Sequence, residues 1–254
     1  MWESPEGPAL NAMRRGSYPL RESPGPVAPP LTAGRVVIKF AVGVTLLALT
    51  LLGPAGTWRW PAAWVFLGLY LAFAVPVGVW LFRTNPALLA QRLDWAKRAP
   101  KTWDRALMAA FIPVFVLIFA LAGLDFRLGW SDVPTVLRAA AFVLVGAFYV
   151  LLALVLRENA FLSRVVEIHP EAGHRVVTTG PYAVVRHPMY AGYVLWLLAV
   201  PVALGSVPAL VPAASIAAGV VVRTVLEDRT LHAELPGYLE YASKVRWRLL
   251  PHVF

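Results

Sequence analysis

The 254-residue sequence contains no cysteine. Disulfides, thiolate metal sites and a cysteine nucleophile are therefore excluded, and the redox compartment leaves no mark on the chain. Charge is scarce: 15% of residues are Asp, Glu, Lys or Arg, against about 25% in an ordinary soluble domain. Acidic residues are scarcer still, 14 against 23 basic ones. Apolar residues fill the gap, at 59% of the chain with a mean hydropathy of +0.64. One soluble core could not hide that much apolar surface. A water-soluble globule, a disordered chain and a collagen-like fibre are excluded, which leaves an integral membrane protein. The 22 prolines and 18 glycines agree, since both are commoner in membrane helices than in soluble ones.

Residues 1–34 are rich in Pro, Gly, Ser and charge, without hydrophobic periodicity, and read as a disordered tail. No apolar stretch precedes a small-residue cleavage site, so the tail is not a secretory signal. Apolar runs follow at 36–52, 62–82, 106–124 and 135–156, each near the roughly 20 residues that a bilayer-crossing helix needs. The stretch 191–226, interrupted by Pro201, Gly205, Pro208 and Pro212, reads as a helical hairpin turning near 204–208. The expectation is an all-α polytopic membrane bundle of six spans, or five if the hairpin does not fully cross. Residues 35–156 form its N-terminal spans and 157–254 a separate C-terminal region.

All but three of the 23 basic residues fall in the tail and the entry to the first span (up to Lys39), in 83–105, in 157–186 or from Arg223 onward. The alternate loops hold only Arg59, Arg127 and Arg138. This is the positive-inside pattern for six spans with both termini cytoplasmic, and it accounts for the net charge of +9 without nucleic acid. Trp58, Trp60, Trp64 and Trp130 lie at the opposite boundaries, as an aromatic belt would. Segment 83–105 mixes Leu88, Leu89, Leu93 and Trp95 with basic residues. It reads either as an amphipathic helix on the inner leaflet or as a solvated basic connector.

Polar chemistry concentrates in two cytoplasmic segments, 157–190 and 223–254, and all five histidines follow residue 168. The first contains HRVVTTGPYAVVRHPMY, from His174 to Tyr190. Gly180–Pro181 sets a turn, and Pro188 pushes His187 to an extended backbone. His174, Tyr182, His187 and Tyr190 supply hydrogen-bonding groups and flat rings, suited to a planar polar ligand such as a nucleoside. The same string is also consistent with a re-entry turn whose Tyr and His merely sit at the lipid interface. In the second segment Arg223 and Glu227, four apart, share a helix face, followed directly by Asp228. Ionisable groups at a membrane helix end are functional candidates, although an Arg–Glu pair could simply anchor the helix. The stretch 235–251 carries Tyr238, Tyr241 and the basic Lys244, Arg246 and Arg248, and resembles a surface helix leaning on anionic lipid. No HExxH, Walker or Rossmann pattern occurs. His232 and His252 read as lone and solvated, and no metal site is expected.

Taken together, the two segments resemble the isoprenylcysteine carboxyl methyltransferase family and its phospholipid-methyltransferase relatives. That family's pattern is a His shortly before G-x-Y-x-x-x-R-H-P-x-Y, then a hairpin, R-x-x-x-E-(E/D) and a Tyr-rich basic tail. Here the pieces are His174, Gly180, Tyr182, Arg186, His187, Pro188, Tyr190, Arg223, Glu227, Asp228, Tyr238 and Tyr241, within 157–251. The resemblance implies S-adenosyl-L-methionine as methyl donor and S-adenosyl-L-homocysteine as product. It further implies a cofactor site lined by His174, Arg175, Val176, Val177, Gly180, Tyr182, Arg186, His187, Pro188, Met189, Tyr190 and Glu227. Arg223 would face the methyl acceptor, so that Arg223, Glu227 and Asp228 form the catalytic set. Two positions depart from the prenyl-protein enzymes: Asp228 stands for a Glu, and Glu167 for a cofactor-contacting Gln. The acceptor would be lipophilic, either a carboxylate of prenylated or isoprenoid type or a phospholipid amine, reaching the site from the membrane while the donor enters from water. Two other classes are a sterol-reductase-like enzyme using NADPH and a non-enzymatic transporter or scaffold. Against the first, no cluster for a 2′-phosphate is evident. Against the second, the central spans lack charge, whereas transporters keep polar groups at the midplane.

Overall fold

A computed structural model describes residues 31–94, 101–159, 162 and 176–254. Its eight α-helices, in chain order, are α1 (Ala33–Ala55), α2 (Pro61–Thr84), α3 (Pro86–Leu93), α4 (Thr102–Leu128), α5 (Thr135–Glu158), α6 (Pro188–Leu204), α7 (Leu210–Glu234) and α8 (Tyr238–Lys244). A 3-10 turn, Gly180–Ala183, precedes α6. Among the described residues there is no strand.

Five helices, α1, α2, α4, α5 and α7, are long and apolar enough to cross a membrane. Helix α6 is apolar but only 17 residues long, about 25 Å at the α-helical rise, slightly short of a hydrocarbon core of roughly 30 Å. The hairpin therefore exists, with its turn at residues 205–209, and its first arm is the short one. Pro54, Pro76, Pro113 and Pro201 lie inside helices, which bundle neighbours can accommodate in a membrane. The predicted tail 1–34 lies almost wholly outside the described residues, and its last two positions, 33 and 34, already belong to α1.

The outer surface of the bundle is apolar. Val37, Ile38, Val42, Leu46 and Leu49 of α1 are all more than half exposed. In water such a face would be an association liability; in a bilayer it meets lipid tails. This is an integral, multi-pass membrane protein. Inside, α2, α4, α5 and α6 bring together Phe66, Phe115, Phe119, Phe148, Tyr149 and Trp196, offset or tilted as aromatic pairs prefer. Close helix contact depends on small residues, as is usual where no water drives association. At Gly123 of α4 an added Cβ would lie 2.4 Å from the Leu51 carbonyl oxygen of α1, so the α1–α4 crossing tolerates no side chain there.

Loops at the end opposite the site are tied by few polar bonds. Asp125 accepts from Ser131 N at 2.8 Å and Ser131 Oγ at 2.7 Å, and the same hydroxyl accepts from Val207 N at 3.0 Å. Left-handed Gly129 and Gly205 close α4 and α6, as helix C-termini favour. Trp58, Trp64 and Trp130 are exposed at this end, matching the expected belt. Trp60 departs from it: it is buried and stacked on Phe126 at 4.9 Å, because α2 starts one residue later and turns the indole inward.

Segment 83–105 holds the short helix α3, capped by the Asn85 side chain accepting from Leu88 N at 3.0 Å. Leu88 and Leu89 are buried, so one face of α3 packs inward. Asp94 just beyond it pairs with Arg35, at 2.9 Å, and with Lys39, fastening the start of α1 to the loop after α2.

Candidate active site at one end of the bundle

Alternating helix direction puts the starts of α1, α4 and α6 and the ends of α2, α5 and α7 at one end. There the two polar segments meet. Glu158 closes α5 and accepts from Thr179 Oγ1 at 2.7 Å, while the neighbouring Asn159 amide donates to the Tyr182 hydroxyl at 2.9 Å. Between them Gly180 has φ +58°, and an added Cβ would lie 2.7 Å from Glu158 Cγ. Glycine is required on both counts, conformation and space. The extended His187 (φ −125°) and Pro188 at the first helical position then launch α6, an arrangement that Pro favours.

Asp228, 1% exposed, is the hub of this end. Its Oδ2 accepts from Arg186 Nη2 at 3.1 Å and from Arg248 Nε at 2.9 Å. Its Oδ1 accepts from the Tyr238 hydroxyl at 2.8 Å and lies 3.3 Å from His187 Nε2. Arg186 Nε also lies 3.0 Å from Oδ1 but out of line for a hydrogen bond. A buried carboxylate surrounded by two guanidiniums has both charge and lone pairs satisfied. Main-chain bonds reinforce the closure: Arg186 N donates to Trp247 O and His187 N to Arg248 O, each at 2.9 Å. The C-terminal strap is thus locked across the start of α6. Tyr241 adds a bond from its hydroxyl to the Tyr182 carbonyl oxygen at 2.7 Å.

These contacts revise the picture of the C-terminal segment. Helix α8 spans seven residues, and Tyr238 and Tyr241 turn inward to a small core with Leu235 and Ala242. Arg248 faces Asp228 instead of lipid, because a buried acid outbids solvent for a nearby guanidinium. His232 is not lone either, although it stays partly exposed. Its Nδ1 lies 2.7 Å from the Asp228 carbonyl oxygen and its ring packs edge-on against Tyr238. Asp228, expected in the catalytic set, has its oxygens fully engaged by these donors.

Glu227, one residue earlier on α7, points to a different surface. Its Oε2 accepts from the Tyr190 hydroxyl at 2.6 Å, its Oε1 lies 3.9 Å from His187 Nδ1, and its side chain keeps 20% exposure. The His187 and Tyr190 rings stack at 5.9 Å. Burial pushes the Tyr182 hydroxyl well above its ordinary pKa, and the Glu227 charge adds to the shift, so these groups feel one another. Tyr238 and Tyr241 are raised for the same first reason, burial, with Asp228 contributing. All three phenols stay protonated donors at neutral pH.

Arg223, on the same face of α7, is buried. It does not form the Arg–Glu anchor that its spacing suggested. Its Nε donates to Asp104 Oδ1 at 2.7 Å and its Nη2 to Asp104 Oδ2 at 3.4 Å, and its guanidinium lies 5.3 Å over the Tyr190 ring, within cation–π range. Asp104, in the first turn of α4 and 0% exposed, was not anticipated. The apolar run of α4 is legible only from Ala106, which left Asp104 in the loop. Its signal was an acid among the basic residues of 83–105, where an N-terminal helical carboxylate is favourable.

Of the expected site residues, Gly180, Tyr182, Arg186, His187, Pro188, Tyr190, Arg223, Glu227 and Asp228 come together here. Val176 packs against the Tyr238–Tyr241 core, and Met189 against the bundle core; Val177 is half-buried nearby in sequence. Glu167, His174 and Arg175 lie outside the described residues.

Fold and site define a class: a helical membrane protein with a charged, tyrosine-rich cluster at one end of the bundle, assembled from the ends of α5 and α7, the start of α6 and a C-terminal strap. Residues 139–233 match the model of the isoprenylcysteine carboxyl methyltransferase (ICMT) family. Similar curated proteins include protein-S-isoprenylcysteine O-methyltransferase B of Arabidopsis thaliana, 29% identical over 113 residues, 39% of this chain and 55% of that protein. Two proteins named probable protein-S-isoprenylcysteine O-methyltransferase, from Oryza sativa subsp. indica and subsp. japonica, are each 30% identical over 110 residues, 41% of this chain and 54% of theirs. The chain spans about half the length of the curated relatives it matches.

Proposed function

We propose that this protein is a membrane methyltransferase that moves a methyl group from S-adenosyl-L-methionine to a lipophilic carboxylate of prenylated or isoprenoid type. The observation that carries the reading is the convergence of Tyr190, His187 and Glu227, with the Tyr190 hydroxyl 2.6 Å from Glu227, in the region matched to the methyltransferase family. The donor set fits the group. Glu227 is an acid with one face still open, suited to an ammonium, and the Tyr190 and His187 rings suit a flat nucleoside or a sulfonium.

When bound, S-adenosyl-L-methionine supplies an electrophilic methyl: the acceptor-to-carbon bond forms as the carbon–sulfur bond breaks, and sulfur keeps the electron pair. The residues of this chain bind and align. Glu227 holds the amino-acid end, fixed by Tyr190. Arg223, buried above the Tyr190 ring, orients the acceptor carboxylate. That carboxylate is already anionic and needs no base. Asp228 organises the pouch from behind by pinning Arg186, Tyr238 and Arg248, and takes no part in proton transfer. Closure by the strap keeps water out, so rate comes from proximity and orientation.

The pouch faces the cytoplasm in this reading. Arg35, Lys39, Arg92, Lys101, Arg186 and Arg248 line its end, whereas Arg59, Arg127 and Arg138 are the basic residues of the other loops, the positive-inside bias. The two termini follow the same side. An acceptor anchored in the inner leaflet then reaches Arg223 laterally while the donor arrives from water.

Methyl-labelled donor, offered with an N-acetyl-S-prenylcysteine or a phosphoethanolamine lipid to protein in nanodiscs, tests this. The expected product is labelled prenylcysteine whose label is released by mild base, as from a methyl ester. Base-stable label on the lipid amine would reassign the acceptor, and no transfer to either would contradict the reading.

A further inference from the structure

We infer that Asp104 is a positioning residue: from the first turn of α4 it sets the orientation of Arg223 toward the methyl acceptor. The inference rests on the methyl-transfer reading for the role of Arg223, but the pairing stands on geometry alone. Asp104 and Arg223 are 119 residues apart, and Asp104 precedes the family-matched region, 139–233. The N-terminal half of the bundle therefore contributes a charged group to a site otherwise built by the C-terminal half.

The contact is side-on, with Nε to Oδ1 at 2.7 Å and Nη2 to Oδ2 at 3.4 Å. A guanidinium has five N–H donors in a fixed plane. A side-on fork uses the Nε hydrogen and one Nη2 hydrogen, which fixes the plane and turns the Nη1 edge away from Asp104. The same plane lies 5.3 Å over the Tyr190 ring, whose hydroxyl holds Glu227 at 2.6 Å. Asp104, Arg223, Tyr190 and Glu227 thus form one chain of contacts from α4 to the donor-binding carboxylate. Swinging Arg223 by one rotamer would break it at Tyr190. Stability alone is a poor reason for such a pair, since well-packed apolar residues often replace a buried ion pair at no cost. Gly219, one turn before Arg223, lets α7 approach α4 closely, since a Cβ there would lie 2.5 Å from the Phe111 ring. That approach brings the two charged residues within reach.

The sharpest variant is Asp104→Glu, which keeps the charge and moves the carboxylate by one methylene. With the full chain in nanodiscs, kcat/KM for N-acetyl-S-prenylcysteine should fall at least fivefold, while S-adenosylhomocysteine affinity stays within twofold and Tm is retained. Asp104→Asn should lower kcat/KM further, mostly through acceptor KM. Unchanged kcat/KM in folded Asp104→Glu would overturn the inference, as would a parallel loss of S-adenosylhomocysteine affinity. If the wild-type chain methylates no acceptor, the functional reading fails separately. The pairing is then judged by thermal unfolding of Asp104→Asn, Arg223→Gln and the double variant. A double variant more stable than either single supports the pair; additive losses overturn it.

Discussion

Replacing Asp228 by asparagine would remove the charge on which four side chains converge: Arg186, Arg248, Tyr238 and His187. The shape is nearly kept, so the loss is electrostatic. One oxygen becomes an NH2 group, and at least one guanidinium must face it. Arg186 is itself only 8% exposed and cannot recover its hydration. Breaking a buried pair by removing one partner costs about 3–5 kcal/mol, whereas a surface pair would cost below about 1 kcal/mol. At this chain length a kcal/mol corresponds to roughly 2–4 °C, so thermal unfolding in detergent should drop by about 10 °C. Limited proteolysis is the second readout. Arg248 lies in the strap, and trypsin should cut after Arg246 or Arg248 sooner in the variant. A fall of under about 2 °C with unchanged cleavage would refute the view of Asp228 as the fastening of the strap.

Gly180→Ala should destabilise by about 1–2 kcal/mol from the left-handed backbone alone, and by more from the clash with Glu158, read as a lower Tm. Gly123→Leu should separate α1 from α4 and cut the yield of folded protein sharply, by size-exclusion chromatography. A normal yield would mean that α1 leaves room for a side chain at 123, against the 2.4 Å that a Cβ there would keep from Leu51 O. Tyr182, Tyr238 and Tyr241 have pKa values raised above the ordinary 10.0. Their folded state holds protons that the unfolded chain gives up, so stability is full below pH 10 and falls as pH rises beyond it. Phenolate absorbance should show fewer titrating tyrosines in folded than in unfolded protein at pH 11; equal counts would contradict the burial of these hydroxyls.

Much of the fold was legible because lipid enforces a simple code: long apolar runs with basic ends. The hairpin and its turn followed from Gly205 and the prolines around it. Trp60 was misread because a belt tryptophan and a stacked core tryptophan differ by one residue of helix phase. The site's polar partners were harder to see. Arg223 and Glu227 at helical spacing suggested a mutual pair, but a long-range acid, Asp104, competes better when two helices cross closely. Spacing carries no information on such a contact. Tyr238 and Tyr241 looked interfacial because tyrosine suits both a membrane surface and a buried hydrogen bond; for Tyr238 the inward direction is set by Asp228, which the family resemblance had placed in the catalytic set.

Calorimetric titration of S-adenosylhomocysteine into the full chain and into Glu227→Gln addresses the central claim most directly, with NADPH as comparison ligand. Saturable binding to the wild-type chain, at least a tenfold loss in Glu227→Gln at unchanged Tm, and no NADPH binding are expected. Folded wild-type protein that ignores S-adenosylhomocysteine, or a Glu227→Gln variant that binds it equally well, would contradict the account.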